Sequence, residues 1–379
     1  MTAGWGVFCA CSWTWCIGMF LPIIMLERYG WPGFLIFAVP NVLGCAAFGY
    51  VLRNRDRSRR LIERHRLMMR WFSIVTLAYH AFFVSLIAIL LAPFDIMQNT
   101  QIALVLPAVF FAFGLLISHL SDRIWPLLAI AVYALSLTAF SQIGGEAIKG
   151  VSWSGEYAES EWLWLLPTVA FGFLLCPYLD LTFHRALQRS PSRHAFGVFG
   201  GTFAIMIIFT IAYRDLFDIG LTGWILAHLA AQTLFTISAH LRELRRDDLA
   251  MKPAIDHVLS AGRTPWWPLL LPLLAGPIAL LVHLGQEPIQ IGKELYLRFL
   301  VAYGLIFPAY VLLAMAFRRI DPNRMKHWIL FGLVMLLLSP MYEFGFIQGT
   351  AQLLPISLLL LMVLAVFGRL WLTPEVDRR

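Results

Sequence analysis

The chain has 379 residues, 60% of them hydrophobic and only 13% charged, with a mean hydropathy of +0.74. Soluble globular domains carry about 25% charged residues, so a soluble fold is excluded and a polytopic membrane protein is implied. The formal net charge of +7 arises in basic loops between apolar runs and is no sign of nucleic-acid binding.

Apolar stretches of roughly 20 residues, the length needed to cross the hydrocarbon core, fall at about 3–26, 31–52, 67–92, 101–120, 124–143 and 161–185. Others follow at about 195–213, 220–241, 266–284, 295–317, 327–345 and 352–372. The expectation is an all-α integral membrane protein with about twelve transmembrane helices. With both termini cytoplasmic, 24 of the 29 Lys and Arg lie on the inner side, as the positive-inside rule requires. A multi-pass protein of the cell (inner) membrane is therefore expected. The initial MTAGWG lacks a basic n-region, so no cleavable signal peptide is expected.

In the first span, Ser12, Thr14 and Cys16 precede the helix breakers Gly18 and Pro22. The cysteines Cys9, Cys11 and Cys16 lack metal-site spacing, and no metal is expected. Gly33, Ala38, Gly44, Ala47 and Gly49 give the second span a smooth packing surface. The basic run at 53–66 reads as a topology anchor that could also attract anionic lipid headgroups. His80 lies within the third span, where it could exchange protons or hydrogen-bond a substrate, or simply bridge two helices. Ser136, Thr138 and Ser141 on the fifth span are weaker candidates.

The sixth span contains Asp180 within an apolar run and is broken by Gly172, Cys176 and Pro177. A carboxylate at such a depth points to a bundle interior or a pathway. Asp180 could couple transport to protons or bind a cation, or it could pair with His184 or Arg185, four and five residues on. The eighth span carries His228, Gln232, Thr233, Thr236 and Ser238.

The longest inner connection, 242–265, follows span eight, which argues against a six-plus-six arrangement. Matching breaks in spans one and six favour a five-plus-five inverted repeat instead, since interrupted helices in corresponding positions mark a transporter site. The first repeat would occupy 1–143, the second 161–318, and two accessory spans with a tail 327–379.

The stretch from Gly18 to Leu61 combines a Gly/Pro-containing helix, the Tyr29-Gly30 turn, a small-residue helix and an Arg cluster. It resembles the opening of sodium/solute symporters, and 67–92 resembles that family's next core helix. The resemblance implies the LeuT-like fold of the amino acid-polyamine-organocation superfamily, with discontinuous helices one and six. Many members place adjacent hydroxyls on core helix eight to bind sodium. Here Thr233, Thr236 and Ser238 are present but not adjacent.

The expected function is secondary active transport of a small polar or zwitterionic solute, coupled to Na+ or H+. Ser12, Thr14, Cys16, Gly18, His80, Gly172, Cys176 and Tyr178 form the expected solute set. Asp180, His228, Thr233, Thr236 and Ser238 form the expected coupling or gating set. Membrane lipid and a membrane-protein partner complete the expected contacts; no other cofactor and no enzymatic role are expected. The rivals are a non-transporting component on a transporter fold and, more distantly, a membrane-embedded acyltransferase suggested by Arg70 and His80.

Overall fold

The structure is a computed structural model that describes residues 1–18, 20–91, 96–143, 150–157, 160–215, 223–245, 270–285, 288–316 and 325–372. Helices account for nearly all of them, and no strand occurs among the described residues. This follows from the solvent, because a segment in hydrocarbon must satisfy its own backbone groups.

The elements are α1 (Thr2–Gly18), α2 (Leu21–Leu52), α3 (Arg55–Leu91), α4 (Ile96–Ser118) and α5 (Trp125–Ile143). After these come α6 (Trp162–Leu175), a 3₁₀ turn (Cys176–Leu179), α7 (Leu181–Arg189), α8 (Ala195–Phe209) and α9 (Gly223–Leu244). Then follow α10 (Leu271–His283), α11 (Pro288–Val301), α12 (Phe307–Tyr310), α13 (Met325–Tyr342) and α14 (Leu353–Leu372). Three π-helical turns, Ala302–Ile306, Val311–Met315 and Glu343–Ile347, flank α12 and follow α13.

Among the described residues, eight helical segments are long and apolar enough to cross a membrane. The other expected spans also contain helix but fall short of that measure. α1 has 17 residues, α10 has 13, α9 is made less apolar by His228, Gln232 and His240, and the apolar part of α14 is Leu353–Gly368. The basic run begins in the turn between α2 and α3 at Arg53 and Asn54 and continues as the start of α3, where the non-helical backbone of His65 (φ −116°, ψ 21°) separates it from the apolar remainder.

Two compact units are threaded by the same chain. The first comprises Met1–Ile24, Ala46–Val151 and Asp180–Leu295; the second comprises Met25–Cys45, Ser152–Leu179 and Tyr296–Arg379. In the first, α1 packs against α5, α7, α8 and α9, while α3 and α4 pack against α9 and α10. Its aromatic core includes Phe8, Trp125 and Phe235, whose rings meet edge to face at centroid distances of 5.5–5.8 Å. In the second, α14 packs against α6 and α13.

Glycine is required at Gly30, where φ is 63° and the chain turns between two helical stretches merged in α2. A Cβ there would also lie 2.2 Å from the Trp153 carbonyl oxygen. The expected smooth face of the second span is used at Gly44, where a Cβ would approach the Phe173 carbonyl oxygen to 2.5 Å.

Candidate functional site

The expected break in the first span lies where α1 ends at Gly18 and α2 begins at Leu21. The break in the sixth lies later than Gly172 suggested. α6 runs through Gly172 to Leu175, because the Cys176 N–H still donates to the Gly172 carbonyl. Pro177, which has no N–H to offer, falls in the 3₁₀ turn that follows. Asp180 then becomes extended (φ −79°, ψ 110°) and restarts the helix as the N-cap of α7.

Asp180 caps through Oδ1, which accepts from the Thr182 N–H at 2.7 Å. Its other oxygen, Oδ2, is buried and accepts no hydrogen bond among the described residues. Leaving a buried acceptor unmade is costly, so the carboxyl is only half occupied by its structural role. The alternative ion pair with Arg185 is replaced by another: Arg185 Nε donates to Glu243 Oε1 at 2.9 Å, and its Nη1 reaches Asp122 Oδ2 at 3.4 Å. His184 Nδ1 lies 2.9 Å from Ser58 Oγ.

Around this restart, the first unit assembles a polar interior. Ser12 Oγ lies 3.0 Å from Thr182 Oγ1, joining α1 to the first turn of α7. Thr236 Oγ1 donates to the Cys11 carbonyl at 3.3 Å and to the Gln232 carbonyl at 3.0 Å. Gln232 Nε2 and His228 Nδ1 converge on Ser136 Oγ at 3.0 and 2.8 Å, and His228 Nε2 meets the Tyr213 hydroxyl. Gln232 Oε1 is a second buried acceptor with no hydrogen bond among the described residues. This interior therefore leaves lone pairs on α7 and α9 available to a donor or cation.

Other expected site residues make local bonds. Thr14 and Ser238 donate to the carbonyls of Ala10 and Leu234, four residues back, each at 2.5 Å, and Thr233 is buried. His80 Nδ1 lies 2.6 Å from the Thr76 carbonyl in α3. Cys16 and Gly18 belong to the last turn of α1, and the side chain of Cys16 lies outside the described residues. In the second unit, Cys176 Sγ donates to the Tyr303 carbonyl at 2.9 Å, and the missing side chain of Gly172 leaves room for that same carbonyl. Tyr178 lies in the 3₁₀ turn.

Thr182, Tyr213 and Glu243 join the site in the structure without being among the residues expected from the sequence. Thr182 is two residues beyond Asp180, the spacing of a capped first turn, which was a usable signal. Tyr213 and Glu243 gave none, since each lies at the end of an apolar run and is placed by residues remote in sequence.

A solved structure of a Na+-coupled sialic acid symporter, in a substrate-bound outward-open state, is similar to this chain with a TM-score of 0.55. The likeness covers 97% of this chain and 89% of that one at 13% identity. The chain thus has a transporter fold. No protein-family model matches the chain, and no curated protein matches it by sequence.

Proposed function

We propose that the protein is a secondary active transporter that moves a small polar or zwitterionic solute by alternating access, coupled to H+ or Na+. The observation that carries this reading is the interruption at Cys176–Asp180, where a buried carboxylate caps a new helix with one oxygen and, among the described residues, leaves the other unbonded. Interrupted helices expose backbone groups and helix ends to ligands in the middle of transporter folds. The fold shared with a Na+-coupled symporter supports the same reading.

In this proposal about twelve helices form two inverted repeats, 1–143 and 161–318, followed by accessory helices in 327–379. Both termini face the cytoplasm of an inner membrane. Ser12 and Thr182 contact the solute where α1 adjoins α7, and Asp180 binds the coupling ion through Oδ2. Thr236 and Thr233 hold the neighbouring face of α9, and His228 with Gln232 orients the polar chain through Ser136. Thr14, Cys16 and Gly18 take solute roles from their positions at the end of α1 in the first unit; Gly172, Cys176 and Tyr178, in the second unit, shape the end of α6 and the 3₁₀ turn after it. His80 and Ser238 support the bundle from α3 and α9. No covalent step is involved, so the proposed role is not enzymatic.

The test is uptake into proteoliposomes under imposed Na+ or H+ gradients, with sialic acid, amino acids and other zwitterions as probes. Gradient-driven accumulation of one class is expected, and Asp180→Asn should abolish the gradient dependence while solute still protects the protein against heat. Absence of both flux and solute-dependent stabilisation across the panel overturns the reading.

A further inference from the structure

The basic run at 53–66 contributes three arginines to a built concavity in the first unit, and the transport reading leaves that concavity unused. Between the turn joining α2 to α3 and the turn joining α7 to α8 lies an open cavity of about 460 Å³. Arg53, Arg55, Arg59 and Arg193 line it, against one carboxylate, Asp56. Its lining therefore carries a charge of +3, four arginines less one aspartate.

Most of that charge is unspent. Among the described residues, Arg53, Arg55 and Arg193 form no ion pair; only Arg59 approaches Asp56, at 3.8 Å on an exposed surface. Arg55 is held in place by donating from Nη2 to the Ser190 carbonyl at 3.0 Å, and Arg193 lies over the Tyr50 ring at 5.8 Å. The second turn is braced internally, with Ser190 Oγ donating to the Ser192 carbonyl at 2.8 Å. Two guanidinium groups are thus fixed by contacts that consume none of their charge.

Arg53 adds an independent observation. It is the one non-glycine residue with positive φ among the described residues (φ 68°). Its ψ of −38° lies outside the left-handed helical region, and the Asn54 N–H donates to the Leu52 carbonyl at 2.8 Å across it, so Arg53 is the centre of a strained γ-turn that a glycine would meet at lower steric cost. An arginine at that backbone position places a cation at the cavity at the expense of local strain, which fits a site better than a mere terminus.

We propose that this cavity binds a phosphate-bearing anion, supplied by the headgroup of an anionic phospholipid. Arginine forks suit phosphate oxygens in shape and charge. The surroundings favour a lipid over a soluble source. Tyr50, 39% exposed, is an aromatic of the type found at headgroup level, and Val51 beside it is 53% exposed, as a side chain facing acyl chains would be. The proposal does not depend on transport.

The experiment uses the full-length protein in detergent and counts retained phosphatidylglycerol and phosphatidylcholine by native mass spectrometry. Inorganic phosphate and glycerol 3-phosphate serve as soluble probes in thermal-shift titrations. Phosphatidylglycerol should be retained preferentially, and R53G with R193Q should weaken it by about fivefold per arginine removed. R53G relieves the positive φ, so its melting temperature in lipid-free detergent should not fall. The control R57Q with R60Q removes the same charge from the same segment outside the cavity and should leave retention within twofold of the parent. Equal losses in both double variants, or no preference for phosphatidylglycerol and no response to either soluble anion, overturn the proposal. A response to soluble anions alone that R53G with R193Q abolishes keeps the cavity and assigns it a soluble phosphate compound.

Discussion

Two arginine–glutamate pairs hold the two units internally, and by distance alone they are alike. In the first unit Arg185 Nε meets Glu243 Oε1 at 2.9 Å; in the second Arg298 Nη2 meets Glu343 Oε1 at 2.6 Å. Their surroundings differ. The side chains of Arg185 and Glu243 are 4% and 0% exposed, whereas those of Arg298 and Glu343 are 42% and 33% exposed. The buried pair also belongs to a network, because Asp122 accepts from Arg185, Arg189 and Arg242. That network ties α7, which begins at Asp180, to α9 and to the turn between α4 and α5. Removing one partner from a desolvated pair strands a charge, whereas an exposed partner is rehydrated.

The largest expected effect follows from this. Glu243→Ala should destabilise the protein by about 3–5 kcal/mol, read as a large fall in detergent melting temperature, and R185M combined with E243L should recover much of it. Next, Asp122→Ala should cost about 1–3 kcal/mol, as charged hydrogen-bond acceptors do, and protease digestion of the folded protein should become faster at the turn between α4 and α5. Asp180→Ala should cost about 1 kcal/mol through loss of the N-cap, while Asp180→Asn, which still accepts from the Thr182 N–H, should melt close to the parent. The smallest effect is Glu343→Ala, at about 0–1 kcal/mol, and the contribution of that pair should fade as salt is raised. Equal losses from Glu243→Ala and Glu343→Ala would break the comparison.

How much of this was legible depended on whether the cause was local. Apolar runs of sufficient length announced the helices, and Pro177 announced the second interruption, because a missing N–H acts at its own position. The start of the break was misplaced at Gly172, where the absent side chain serves close approach to the Tyr303 carbonyl and leaves the helix intact. The charge of Asp180 stands out within an apolar run, yet its capping geometry depends on the extended backbone there, which no local pattern marks. Ser12 and Thr236 were recognised as candidates, but their partners are Thr182 and the Cys11 carbonyl, 170 and 225 residues away. Glu243 looked like loop because it follows Arg242 at the edge of an apolar run. Only the fold brings Arg185 to it.

The π-helical turns have a consequence for how the second unit tolerates changes in chain length. A π turn holds about one residue more than an α turn, so every side chain after it is rotated by roughly 100° relative to an unbroken helical wheel. A wheel drawn from Pro288 through Met315 therefore assigns the wrong faces beyond Ala302–Ile306. Conversely, deleting one residue within Ala302–Ile306 converts that turn to ordinary α geometry and leaves Phe307–Tyr310 in phase with its present neighbours. The same deletion one turn earlier, within α11, would rotate the residues between it and the π turn out of register. The Ala302–Ile306 turn is thus a point where the chain can shed a residue and keep its downstream packing.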